Sequence, residues 1–184
     1  MRQEPLFDLG TRGFLALWRG EQPRMADLGV DAETVEALVQ QGRLEVDARR
    51  RLVAIHGLSA RPTLHRIEHE EGVVHTWCAY DAVGIPAALG LDGRAVTACP
   101  TCGEYLVVGL AGGTPTGAGQ LRLWFPDNGC AHLVEDFCRH ANLYCGADHL
   151  EAAAPASPGR MITVAEAADL GRTTWSDVAT YLSA

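Results

Sequence analysis

Cys78 and Asp81 stand three residues apart in the stretch Trp77, Cys78, Ala79, Tyr80, Asp81, and Cys138 offers a second thiol from far along the chain, within Asp136, Phe137, Cys138, Arg139, His140. On a helix, residues at i and i+3 are neighbours with Cβ atoms about 5–6 Å apart, so the carboxylate can reach the thiol or whatever the thiol has bound. A free cysteine has a pKa of about 8.5, which leaves only a few per cent as thiolate at neutral pH unless a neighbour activates it. Asp81 is the candidate neighbour. As a base it could take the Cys78 proton; as an acid it could return one, provided that burial raises its pKa, because an ordinary Asp at about 3.9 is almost wholly ionised at pH 7. Two thiolates placed together bind soft ions such as mercury(II), copper(I) or zinc far better than oxygen ligands do. If the metal still carries a carbon group, donation from both sulfurs weakens the metal–carbon bond, and a nearby acid can protonate the carbon.

A second thiol motif is Cys99, Pro100, Thr101, Cys102. It could be half of a structural zinc site, completed by two of Cys130, His132, His140 or Cys145, since zinc usually takes four nitrogen or sulfur ligands. A redox pair and a plain turn with two partly buried thiols are the alternatives. Trp77 could shield the first constellation or simply be core. His140 could lend Cys138 positive charge or be a hydrogen-bonded histidine, and Arg139 could favour the thiolate or face solvent. Both stay outside the catalytic set. The Gly- and Thr-rich stretch 111–119 has no Gly-Lys-Ser/Thr sequence, so a phosphate loop is not supported.

The elements that must position these groups belong to a chain of 184 residues, enough for one substantial core and a small N-terminal appendage. Its 15 basic and 23 acidic residues give a net charge of −8, which lacks the basic excess that nucleic acid or an anionic membrane would attract. No apolar run is long enough for a signal peptide or a membrane span, so the chain is expected to be cytoplasmic. Six cysteines in a reducing compartment then point to metal or catalytic thiols rather than disulfides. Cys130 and Cys145 are the readiest to be simple buried hydrophobes.

Asp31, residues 32–41 and Gly42 read as N-cap, helix and stop, with Val35, Leu38 and Val39 at helical spacing. Residues 43–46 and 51–55 flank a charged turn and read as a hairpin, so residues 1–56 suggest a small winged-helix-like unit. Its acidic helix (Asp31, Glu33, Glu36) lacks the cations expected for the major groove, which favours a structural role. Residues 61–69 read as a strand leading through a turn at 70–72 to the Cys78 helix, which Pro86 and Gly90 should end. Segments 94–99, 104–110 and 120–125 read as antiparallel strands lying between the two thiol segments. Residues 131–137 can form a helix that delivers Cys138, 142–144 a short strand, and 152–159 a bend. Thr163 and Glu166 form a capping-box pattern for a helix that Gly171 should end, and Ser176 could cap a last helix.

Trp77 to Asp81, with Pro86 and Leu89, Gly93 to Cys99, and Phe137 to His140, together with the upstream Gly57, Leu58, Ser59, Ala60, Arg61, Pro62, Thr63 and His65, resembles the alkylmercury lyase family over roughly residues 57–145. The resemblance implies an α+β fold, a mostly antiparallel sheet flanked by helices, with residues 57–184 as the catalytic core. It implies that Cys78 attacks the mercury of an organomercurial first, Cys138 joins it and Asp81 mediates proton transfer to the departing carbon. It further implies a structural role for Cys99, no organic cofactor, mercury(II) as bound product, and hand-off to small cytosolic thiols or mercuric reductase. The departures are Cys102, Cys130, Cys145 and a shorter N-terminal region. The reading is therefore a carbon–mercury bond lyase. Its rival is a protein of the same scaffold that binds or senses copper or zinc without turnover, and a third reading is a relative turned to another organometallic or carbon–sulfur substrate.

Overall fold

The computed structural model describes residues 5–127 and 131–182, with side chains from Leu9 onward. The chain opens with α1 (Pro5–Trp18), a single 3-10 turn and α2 (Ala32–Gln40). Asp31 caps α2 as its sequence suggests, its carboxylate accepting from Thr34 N at 2.8 Å. The hairpin of β1 (Leu44–Val46) and β2 (Leu52–Ile55) follows, then β3 (Leu58–Ser59), β4 (Arg66–His69), β5 (Gly72–Thr76) and α3 (Ala79–Leu89). The strand expected over 61–69 is shorter, because 61–65 is held irregular by the Thr63 hydroxyl, which donates to Thr76 O at 2.8 Å.

β6 (Gly93–Ala98), β7 (Tyr105–Ala111) and β8 (Thr114–Thr116) complete an antiparallel sheet of order β1-β2-β3-β5-β4-β6-β7-β8. The stretch 111–119 thus contributes an edge strand as well as a connection. A second sheet holds β9 (Arg122–Pro126), between β10 (Leu143–Tyr144) and β11 (Gly159–Thr163). The three strands expected over 94–125 are therefore divided between two sheets. α4 (Ala147–Ala153) lies between β10 and β11, and α5 (Val164–Thr174) and α6 (Ser176–Leu182) close the chain. Thr163 and Glu166 make their reciprocal cap, Glu166 N donating to Thr163 Oγ1 at 3.1 Å and Thr163 N to Glu166 Oε2 at 2.8 Å.

α3 is the axis of the molecule. Ala79 through Ala87 are all buried, which is what a helix apolar nearly all round requires. It lies between the large sheet and α5, its most extensive helical partner. Pro86 sits inside α3 instead of ending it; Gly90, left-handed at φ 65°, is the stop. Gly171 likewise lies within α5, because that is where α5 crosses α3: a Cβ at Gly171 would stand 2.7 Å from Gly84 O.

Candidate functional site

Cys78 is the N-cap of α3 rather than a residue within it, its backbone extended at φ −147° and ψ 175°. Asp81 is then the third helical residue, and its Oδ2 accepts from Cys78 N at 3.1 Å and from Cys78 Sγ at 3.2 Å. The i, i+3 contact expected on a helical face thus arises as a capping box in which a thiol stands in for the usual hydroxyl. Trp77 N donates to Gly57 O at 2.9 Å, pressing the β2–β3 turn against the carboxyl. Gly57 has φ 91°, and a Cβ there would lie 3.1 Å from Asp81 Cγ, so both its backbone and the available space call for glycine.

Cys138 comes from a wide π turn, Val134–Cys138, closed by Arg139 N donating to Val134 O at 2.8 Å. The helix expected over 131–137 is this single turn, a form that recurs at functional sites. Ala79 N donates to Ala141 O at 3.2 Å, tying the start of α3 to the segment after Cys138. The Cys78 and Cys138 sulfurs and an Asp81 oxygen all lie within 4.8 Å of one another, and all three residues are buried.

Burial sets the resting charges here. It pushes the Asp81 carboxyl up to about 7, against hydrogen bonds from Cys78 and Trp77 that pull it down. It also pushes the Cys78 thiol well up, with the Cys138 thiol and the Asp81 charge adding to the effect. An empty site therefore holds Cys78 as a thiol beside a carboxyl poised between its two forms at neutral pH. Coordination to a soft metal removes a thiol proton outright, and Asp81 is the base in contact to receive it.

Asp81 and Cys138 line a cleft of about 580 Å³, whereas fully buried Cys78 lies behind them. The cleft wall is aromatic: Tyr80, Phe125 and Phe137 meet edge to face with centroids 5.2–5.8 Å apart, and Trp175 lies 5.4 Å from Tyr80. Trp175 is fixed by its Nε1 donating to His56 O at 3.0 Å. Trp77 also lines the cleft, and its buried Nε1 has no hydrogen-bond partner among the described residues. Arg139 pairs with Glu135 at 2.7 Å and faces solvent, and neither it nor His140 joins the cluster. Sequence reasoning missed Tyr80, Phe125 and Trp175, whose shared wall joins residues nearly a hundred positions apart without any local pattern.

Cys99 and Cys102 belong to a separate cluster, with Cys145 and His149. Of the ligands expected to complete the motif, Cys145 does so, His132 and His140 do not, and Cys130 lies outside the described residues. His149 was missed, because its role depends on α4, an element with no anticipated boundary.

The sequence and the fold both match known proteins. The family described as alkylmercury lyase matches residues 58–176. An alkylmercury lyase of Streptomyces lividans is 35% identical over 68 residues, which cover 37% of this chain and about a third, 31%, of that protein's length. The crystal structure of the mercury-bound form of MerB2 superposes with a TM-score of 0.82 at 19% identity, over 96% of this chain and 92% of that one. With an open antiparallel sheet, flanking helices and two thiols joined to a buried carboxyl, the chain belongs to the alkylmercury lyase family.

Proposed function

We propose that the protein is an organomercurial lyase that cleaves carbon–mercury bonds by protonolysis, giving a hydrocarbon and mercury(II). The observation that carries the reading is the buried Cys78, Asp81, Cys138 cluster at the wall of an aromatic cleft. A passive soft-metal site needs the thiols but not an acid.

In this reading Cys138, which faces the cleft, meets the substrate first, the reverse of the order implied by the family resemblance. Its sulfur bonds to mercury while its proton leaves with the thiol or halide that the organomercurial carried. Cys78 then binds the same mercury and passes its proton to ionised Asp81, with which it already shares a hydrogen bond. Asp81 delivers that proton to the carbon as the mercury–carbon electron pair withdraws to it. The hydrocarbon departs, Asp81 is again a carboxylate and mercury(II) is held by two thiolates. Two small cytoplasmic thiols take the metal by exchange and reprotonate both cysteines, with mercuric reductase as the downstream consumer. Residues 57–184 form the catalytic core, and the unit 1–56 closes one side of the cleft through Arg43 and His56.

The test is to incubate the pure protein with methylmercury and excess thiol and to measure methane and inorganic mercury. Methane should form, vanish in Cys138→Ser, and fall by about 100-fold or more in Asp81→Ala, with mercury binding largely retained. Stoichiometric metal binding without methane would instead support the non-catalytic reading.

A further inference from the structure

We infer that Cys99, Cys102, Cys145 and His149 form a structural zinc site, distinct from the cysteines that take mercury. Their ligand atoms all lie within 4.8 Å of one another, and they come from two distant parts of the chain. Cys99 and Cys102 sit in the turn that follows β6, and Cys145 and His149 flank the start of α4 just past β10.

The spacing fits one tetrahedral ion. Zinc–sulfur bonds of about 2.3 Å and zinc–nitrogen bonds of about 2.0–2.1 Å set sulfur–sulfur edges of about 3.8 Å and sulfur–nitrogen edges of about 3.6 Å. Cys99 Sγ stands 3.6 Å from His149 Nδ1, and Cys102 Sγ stands 3.5 Å from Cys145 Sγ. The latter distance is much longer than the roughly 2.05 Å of a disulfide. Three sulfurs and one imidazole nitrogen make a closed four-ligand set, the pattern of structural rather than catalytic zinc.

Hydrogen bonds hold the turn that carries Cys99 and Cys102, Cys99 N donating to Glu104 O at 2.9 Å. Gly103, at φ 76°, turns the chain back so that its N–H reaches Cys99 O at 2.8 Å. Without using any of the four ligand atoms, Thr101 Oγ1 donates to His149 O at 2.7 Å, fastening the turn to α4. Cys102 and Cys145 are partly exposed and gain little from packing, whereas a shared ion satisfies them together with buried Cys99.

The position of the ion gives it a purpose. Cys99 follows a strand of the large sheet, and Cys145 follows a strand of the small one, seven residues after Cys138. Zinc therefore pins the two sheets together near the segment that presents Cys138 to Cys78. It also occupies thiols that would otherwise compete for mercury.

Metal content tests this without reference to cleavage, so failure of the lyase reading leaves it standing. Elemental analysis of protein purified under reducing conditions should give about one zinc per chain. That zinc should persist in the Cys78→Ser, Cys138→Ser double variant and fall below roughly a tenth in Cys102→Ser and His149→Ala. Should those variants fail to fold, cobalt(II) bound to the Cys78→Ser, Cys138→Ser double variant decides the matter, through intense tetrahedral bands with thiolate-to-cobalt charge transfer that only the second cluster can then supply. Absence of both zinc and cobalt uptake would overturn the inference. So would zinc that disappears with Cys78 and Cys138 yet survives His149→Ala, or a Cys102–Cys145 disulfide, about 2 Da lighter, in the reduced preparation.

Discussion

In the proposed cleavage Asp81 combines two demands that usually conflict: accepting a proton from a thiol and then surrendering it to carbon. The Cys78 N–H and S–H donors and the start of a helix favour its carboxylate, yet burial wins and raises it to about 7. The consequence for stability has a definite sign. In the unfolded chain Asp81 loses its proton near 3.8, whereas in the fold it keeps it to about 7. Between those values the folded state binds more protons than the unfolded one, so stability falls as pH rises through the window. It is full below 3.8 and level above about 7, and the gap corresponds to on the order of 4 kcal/mol. Asp81→Asn has no such titration and keeps an acceptor for Cys78. Urea midpoints of the two proteins measured from pH 4 to pH 8 should therefore diverge, the wild type losing ground to the variant up to about pH 7 and none beyond. A difference independent of pH would mean that Asp81 ionises in the fold as it does in water.

Helices α3 and α5 bring the Cys78–Asp81 turn and the aromatic wall together, and they do so through glycine. A Cβ at Gly84 would stand 2.6 Å from Trp175 Cζ3 and 3.0 Å from Gly171 Cα, so the two backbones touch with nothing between them. Gly171→Ala should destabilise by about 1–3 kcal/mol, since a backbone obstacle cannot rotate aside and this outweighs the roughly 1 kcal/mol that alanine gains in a helix. Gly10→Ala in α1, where among the described residues the new Cβ meets only His56 Nδ1 at 4.0 Å, should be neutral or stabilising. Urea midpoints of the pair measure both, and equal effects would dismiss the close crossing. The contrast also marks what the sequence could disclose. The Asp31 cap, the Thr163–Glu166 box and strands β6 and β7 depend on near neighbours and were legible. Gly171 looked like a helix stop because its reason lies in another helix. The Cys78–Asp81 contact was legible as a distance, but its geometry as a cap depended on where β5 ends. The small sheet was hidden because Leu143 pairs with Leu123 across a long excursion, and His149 because nothing local marks it as a ligand.

At the scale of the whole molecule, the cleft exists only because the large sheet, the small sheet and the helix pair converge. Phe125 comes from β9, Phe137 from the π turn, Tyr80 from α3, and Trp175 from the end of α5. A cavity of about 580 Å³ is well beyond the needs of a methyl group and within the range of small-molecule sites. Its rings can stack on, or meet edge to face, an aromatic group carried by mercury, at about 0.5–1.5 kcal/mol for a ring pair, or roughly 2- to 10-fold in a rate ratio. Phenylmercury should therefore be cleaved with a higher kcat/KM than methylmercury. Phe125→Leu, which keeps apolar bulk but removes the ring, should lower kcat/KM for phenylmercury by about 2- to 10-fold and leave methylmercury nearly unchanged. Steady-state assays of both substrates on both proteins decide it. An equal fall for the two would mean that Phe125 acts by holding Phe137, and through it Cys138, in place, so that the wall serves the thiols and not the organic group.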